Sequence, residues 1–90
     1  MNKEMFYLVQ YNEHTWNNYV RNCETVKEEI EGMPSDISKV LVNTIGPETS
    51  RMWIYRRLYG LDYKTPVNLV RTDSGTKALK AFILRMQGIF

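Results

Sequence analysis

Apolar residues recur at three- and four-residue steps over three stretches of the chain, as they do on one face of a helix. The first stretch covers residues 13 to 31 and precedes a glycine and a proline, and the second covers residues 35 to 45 and precedes another such pair. Ser35 is placed to cap the second helix. The third stretch covers residues 48 to 59, and its apolar side consists of Met52, Ile54, Tyr55, Leu58 and Tyr59. The pattern predicts three amphipathic helices.

Two more helix starts follow in the last third of the chain. Thr65 can accept a hydrogen bond from a first-turn N-H, and Pro66 loses nothing at the next position, so a short helix should run to about Arg71. Thr72 is the second start, and that helix should end at Gly88. Its predicted apolar face consists of Ala78, Leu79, Phe82, Ile83 and Met86.

The segment from residue 5 to 11, MFYLVQY, is rich in aromatic and β-branched side chains. It forms either a strand, which these residue types favour, or the first turns of a helix in spite of that preference. A lone strand has unpaired edges, so a strand here would pair with a second copy across a dimer axis.

Together these elements predict a mainly α fold, a compact bundle of about five helices with a short N-terminal β-strand. Ninety residues with 43% hydrophobic and 24% charged side chains are typical of one small globular domain, residues 1 to 90. The N-terminal sequence has neither a long apolar run nor a small-residue cleavage site, so we expect a cytoplasmic protein that does not cross a membrane.

The residue types that carry chemistry are sparse. Cys23 is the only cysteine and His14 the only histidine, so no intramolecular disulfide and no metal site are predicted. No phosphate-binding glycine loop and no cluster of acid, base and nucleophile is visible, which argues against an enzyme and against a bound cofactor. Residues 1 to 33 have a net charge of −3 and residues 34 to 90 a net charge of +5. The basic half could meet an acidic protein or nucleic acid, although such charges usually form a solvated surface.

The order of residues from 53 to 88 resembles the toxin-binding domain of MbcA/ParS/Xre antitoxins, the partners of RES-domain toxins that attack NAD. The residues that carry the resemblance are Trp53, Leu61, Lys64-Thr65-Pro66, Val67, Leu69, Val70, Thr72, Gly75, Leu79, Phe82, Ile83, Arg85-Met86 and Gly88. This sequence departs from the family at Asp62 and Tyr63, where two glycines are usual. By this resemblance residues 47 to 90 form an antitoxin-like region, and residues 1 to 46 an N-terminal extension with its own helices.

The resemblance implies a protein that covers the NAD pocket of a toxin with its last helix and carboxyl terminus. The corresponding partner-binding residues here are Lys80, Leu84, Arg85, Gln87, Gly88, Ile89 and Phe90, together with Tyr63 and Lys64. Ile89 and Phe90 either insert into an apolar cleft of the partner or fold back onto their own core.

Two other functions remain open at this stage. A small phage or mobile-element protein could use such a domain to inhibit a host defence complex. A DNA-binding regulator would use Arg51, Arg56 and Arg57. Trp53 beside those arginines has the composition of an interface hot spot, but a large aromatic side chain is more often packed inside the protein.

Overall fold

The computed structural model describes residues 2 to 88, which form six α helices and one 3-10 turn. The helices are α1 (Lys3–Gln10), α2 (Glu13–Arg21), α3 (Ser35–Ile45), α4 (Pro47–Trp53), α5 (Pro66–Leu69) and α6 (Asp73–Met86), with the 3-10 turn at Tyr59–Leu61. The predicted mainly helical fold is confirmed, since five of the helices have seven residues or more. Within residues 2 to 88 the only β-type pairing is one isolated bridge, between Leu58 and Lys64.

The core is one hydrophobic cluster to which α6 contributes the most residues. Its central side chains come from α2, α3, α5 and α6, from the 3-10 turn and from the segments between these elements: Trp16, Ile30, Ile37, Val40, Leu41, Ile54, Leu58, Leu61, Leu69, Ala78, Leu79, Ile83 and Leu84. Burial of each large aliphatic side chain stabilises the fold by about 1.5–3 kcal/mol. Three residues of the predicted α6 face, Ala78, Leu79 and Ile83, are fully buried, whereas Met86 is 47% exposed.

Both predicted threonine caps are present. The Thr65 hydroxyl accepts from the backbone N-H of Asn68 at 3.3 Å, and the Thr72 hydroxyl accepts from that of Gly75 at 2.9 Å. The short helix α5 ends at Leu69, two residues before the predicted end. Helix α6 ends at Met86 and Gly88 follows in the left-handed region with φ +76°.

The N-terminal strand prediction was wrong, because residues 3 to 10 form helix α1. Asn2 caps this helix by accepting from the N-H of Met5. The half-buried side chains of Tyr7, Leu8 and Tyr11 share a helical face and pack against the core. Tertiary packing on α6 therefore outweighs the strand propensity of these residues, and the reason given for a dimer through paired strands no longer applies.

The helix predicted over residues 13 to 31 ends at Arg21, ten residues early. Beyond it, the Asn43 side chain pairs with both backbone groups of Glu24, accepting from its N-H at 2.9 Å and donating to its carbonyl at 2.8 Å. The Ser38 hydroxyl accepts from the N-H of Ile30 at 2.6 Å. These side chains of α3 satisfy backbone groups that a longer helix would have paired internally, so an irregular segment is stable here.

Two further boundaries differ from the predictions. The cap of α3 is Pro34 and no side chain caps this helix, because the Ser35 hydroxyl instead donates to the Glu29 carboxylate. Helix α4 ends at Trp53 rather than at residue 59. The carbonyl of Ile54 accepts from the N-H of Val67, which draws the chain away from the helical path.

Because α4 ends early, only some of the apolar side chains of the third predicted helix are buried. Ile54 and Leu58 are buried as expected, but Met52 is 77% exposed and Tyr55 and Tyr59 are each 67% exposed. Those three were wrongly placed on an apolar helical face. No helix between residues 2 and 88 has the length and apolar character that a membrane span requires.

Candidate protein-binding surface

The predicted partner-binding residues at the end of α6 divide into an outward and an inward set. Arg85 and Gly88 are exposed and Gln87 is half-buried, so these three can reach a partner. Leu84 is fully buried in the core and cannot contact a partner without unfolding, which corrects its predicted role. Ile89 and Phe90 lie outside the described residues.

Lys80 also faces inward and is engaged within the chain. Its ammonium lies 3.0 Å from the Asp36 carboxylate, and only 16% of its side chain is exposed. The same ammonium lies near the faces of the Tyr11 and Trp16 rings, at 5.8 and 5.5 Å from their centroids. Lys80 therefore has a structural partner in α3, and its predicted role in binding another protein does not fit this position.

Asp36 is the centre of this polar cluster. One carboxylate oxygen accepts from the Trp16 indole N-H at 2.8 Å and the other from the backbone N-H of Ile37 at 2.9 Å. Burial raises the pKa of Asp36, but the hydrogen bonds from Trp16 and Lys80 and the charge of Lys80 outweigh it, so the pKa lies below the ordinary value. The cluster joins α2, α3 and α6.

The end of α6 lies beside an apolar surface on α1. Met5, Phe6 and Val9, which we call the α1 stripe, are 44%, 41% and 63% exposed. The Arg85 guanidinium lies 5.5 Å from the centroid of the Phe6 ring, close enough for a cation-π contact. The sequence prediction missed these residues because it treated them as a strand, although their i, i+1, i+4 spacing is also that of one helical side.

Helix α1 is attached to the rest of the molecule without a single fully buried side chain. Its inner contacts include the Tyr7 ring, which meets Phe82 edge to face with centroids 5.3 Å apart. Gly60 approaches the Phe82 ring so closely that an added Cβ would lie 2.7 Å from it. The α1 stripe therefore lies on the solvent side of a helix whose inner side chains are only half-buried, and it lies next to the exposed end of α6.

Tyr63 and Lys64 lie in the loop between the 3-10 turn and α5. Tyr63 is 57% exposed. The Lys64 ammonium is 2.5 Å from the Glu4 carboxylate of α1, and this hydrogen bond raises the pKa of Lys64. The structure thus brings Lys64 into contact with α1, while the two loop residues are not part of the α1 stripe.

The three arginines predicted for nucleic acid have different surroundings. Arg51 forms an ion pair with Glu28 at 2.7 Å. Arg56 lines a small pocket together with Met52 and Trp53, and Trp53 is half-buried against the core. Arg57 lines a separate groove that does not include the other two. The three arginines therefore do not line one common pocket, and Arg51 is already paired with Glu28.

Comparison with known proteins finds no matching family model, no matching curated protein and no matching solved structure.

Proposed function

We propose that this chain is a protein-binding module of the antitoxin kind, which neutralises a RES-type NAD-targeting toxin by covering its active site. The observation that carries the protein-binding part is the α1 stripe beside Arg85. Three neighbouring apolar side chains on one exposed helical side, next to an arginine, have the composition of an interface centre. The toxin as partner comes from the resemblance of residues 53 to 88.

The residues shared with the antitoxin family have definite structural roles in this chain. A Cβ on Gly75 would lie 2.1 Å from the carbonyl oxygen of Leu69, so only glycine fits where α5 meets α6. Thr65 and Thr72 cap the two helices at this junction. The residues that carry the resemblance therefore fix the junction of α5 and α6, and this fixed junction supports the proposal that α6 is held in one orientation for a partner.

In the proposed complex, the partner contacts two adjoining elements. The α1 stripe supplies apolar area, and Arg85 and Gln87 at the end of α6 supply polar contacts that orient the partner. Burial of the stripe by a partner removes exposed apolar surface and leaves the buried core of the chain unchanged. An obstructed active site prevents NAD from reaching the toxin, so inhibition needs no catalytic residue in this chain.

The test is to purify the tagged chain from the organism that encodes it and to assay the eluate for NAD consumption before and after mild denaturant releases the partner. A single partner whose NAD-consuming activity appears only after release supports the proposal. A large multi-subunit complex would replace it by an inhibitor of a host defence complex. Recovery of DNA alone would favour the regulator.

A matched pair of variants tests the surface itself. Phe6→Ser/Val9→Ser should weaken binding of the purified partner at least about tenfold, because the central apolar contacts of an interface carry most of its energy. Met52→Ser removes a side chain that is also exposed, on α4, and should leave affinity unchanged. Removal of Ile89 and Phe90 tests the carboxyl-terminal part of the proposal by the same binding assay. Equal affinities for the α1 stripe variant and the Met52 variant would contradict the assignment of the surface.

A further inference from the structure

An open groove of about 610 Å³ lies between the end of the 3-10 turn and helix α5, away from the α1 stripe. Its lining includes Arg57, Asp62, Tyr63, Lys64, Asn68 and Arg71. Three of these side chains are cationic, one is anionic, and Tyr63 and Asn68 have hydrogen-bonding ends. The groove is thus polar, basic and open to solvent.

Two of its charged side chains are already engaged within the chain. The Asp62 carboxylate accepts from the backbone N-H groups of Lys3 and Glu4, at 3.3 and 3.1 Å, and so faces the start of α1. Lys64 is in its ion pair with Glu4. The Asp62 carboxylate is therefore paired with backbone donors of α1, and the lysine charge is balanced by Glu4.

The two arginines of the groove are in a different state. Arg57 and Arg71 are exposed, and neither forms an ion pair with any residue between 2 and 88. Arg57 makes only a long contact, 3.4 Å, to the carbonyl of Tyr63. A guanidinium forms paired hydrogen bonds with a carboxylate, so the groove presents two cations that are free to bind one.

Tyr63 lines the same groove and has an unfavourable backbone conformation. Asp62 and Tyr63 have φ of 58° and 61°, and both lie in the left-handed region that large side chains rarely adopt. Asp62 is compensated by its two hydrogen bonds to α1. The Tyr63 backbone is held by its N-H, which donates to the Leu58 carbonyl at 2.8 Å. Its ring is 57% exposed and meets the exposed Tyr59 ring edge to face at 5.4 Å. This turn therefore presents an aromatic side chain to solvent in the lining of the groove, where a partner can contact it.

We propose that this groove binds an acidic segment of a partner protein, with carboxylates on Arg57 and Arg71 and an apolar or peptide group against the Tyr63 ring. The complementary charge and the single exposed ring fit an extended peptide. A nucleic acid backbone would need a longer row of cations than the three that line this groove. The inference goes beyond the proposed function, because it adds Arg57 and Arg71 to the predicted partner-binding residues Tyr63 and Lys64, names the chemistry that they bind and does not require the partner to be a toxin.

The test measures fluorescence anisotropy of a labelled peptide of alternating glutamate and alanine, with a glutamine-alanine peptide as control. The folded chain should bind the acidic peptide, and affinity should fall as salt rises. Arg57→Gln/Arg71→Gln should weaken binding about tenfold or more. The matched control, Arg21→Gln/Arg51→Gln, removes the same charge from arginines outside the groove and should change affinity less than about twofold.

Tyr63 variants separate the ring from the charges. Tyr63→Gly should weaken peptide binding severalfold without lowering the melting temperature, because glycine relieves the left-handed backbone while the ring is lost. No binding of the acidic peptide, equal binding of the glutamine peptide, or equal affinities of the groove and control variants would overturn the proposal. Tighter binding of duplex DNA than of the peptide would assign the groove to nucleic acid instead. None of these outcomes depends on NAD consumption by a partner.

Discussion

Replacing Lys80 by methionine should lower the free energy of unfolding by about 2 kcal/mol, although a helical-wheel projection of α6 places Lys80 outside the apolar face. At 3.0 Å from Asp36, two unit charges in an effective dielectric of 20 attract by about 5–6 kcal/mol. Partial burial of both groups offsets most of this attraction. A net coupling of about 1–2 kcal/mol remains, and loss of the Lys80 partner also leaves the Asp36 carboxylate less well paired.

The assay is a double-mutant cycle of Asp36→Asn and Lys80→Met, with free energies of unfolding from urea titrations near neutral pH. Helix α6 offers a control pair of the same type. Lys77 lies 3.1 Å from Asp73, but the Asp73 side chain is 85% exposed, so this pair should couple by less than about 0.5 kcal/mol. Equal coupling energies for the two pairs would refute the reasoning that burial gives the Asp36 pair its strength.

The same cycle has a defined pH dependence. The pKa of Asp36 is lower in the folded chain than in the unfolded chain, so its contribution is complete above the unfolded pKa, about 3.9. The contribution is lost as the pH falls through the lower, folded pKa. The stability difference between the natural chain and Asp36→Asn should therefore be constant near neutral pH and should shrink in acid. A difference that grows as the pH falls from 6 to 3 would contradict the sign of this shift.

Three other outcomes are expected. Gly75→Ala should lower the free energy of unfolding, measured in urea, by about 3 kcal/mol, because the added Cβ would lie 2.1 Å from a backbone oxygen. Gly88→Ala is the control: an added Cβ meets no atom within 4 Å, so only the positive φ should cost about 1 kcal/mol. Equal losses of stability for the two variants would contradict the clash at Gly75. Ser38→Ala should cost about 2 kcal/mol because it leaves a buried N-H without its acceptor, against less than about 0.5 kcal/mol for the exposed Ser35→Ala. Burial raises the pKa of Cys23 against a smaller opposing effect of Lys39, so its alkylation by iodoacetamide near pH 8 should be slower than that of free cysteine and should speed up as the pH rises; a rate equal to that of free cysteine would argue against the shift.

The parts of the fold that the sequence predicted well are those fixed by neighbouring residues. The start of α6 at Thr72, the start of α5 at Thr65 and the buried face of α3 depend on caps and on 3.6-residue spacing, which a short window contains. The helix of residues 3 to 10 and the early end of α2 depend on distant groups. Asp62 caps α1 from 58 and 59 residues away, and Asn43 holds Glu24 across 19 residues. No local pattern encodes such contacts.

The candidate surface likewise has some features that follow from neighbouring residues and others that depend on distant ones. Arg85 lies at the edge of the predicted apolar face of α6, and its exposure agrees with the general position of a charged side chain. The inward position of Lys80 could not be predicted from α6 alone, because its partner Asp36 lies on α3. For the left-handed backbone at Asp62 and Tyr63, the signal comes from the resemblance on which the proposal rests, since the antitoxin family usually has glycines at the two corresponding positions. The pattern of residues along the chain does not specify which protein binds, so the partner must be identified by the binding experiments.

The capping of α1 by Asp62 has a consequence for the order in which the protein matures. Helix α1 is made first, but its contacts to Asp62, Lys64 and Phe82 become available only when most of the chain has been synthesised. With eight residues it is too short to be stable alone in water. Residues 3 to 10 therefore gain their packing contacts only when the last helix has been made. A prematurely ended chain would keep Met5, Phe6 and Val9 on an unstructured segment, where cellular proteases recognise incomplete products.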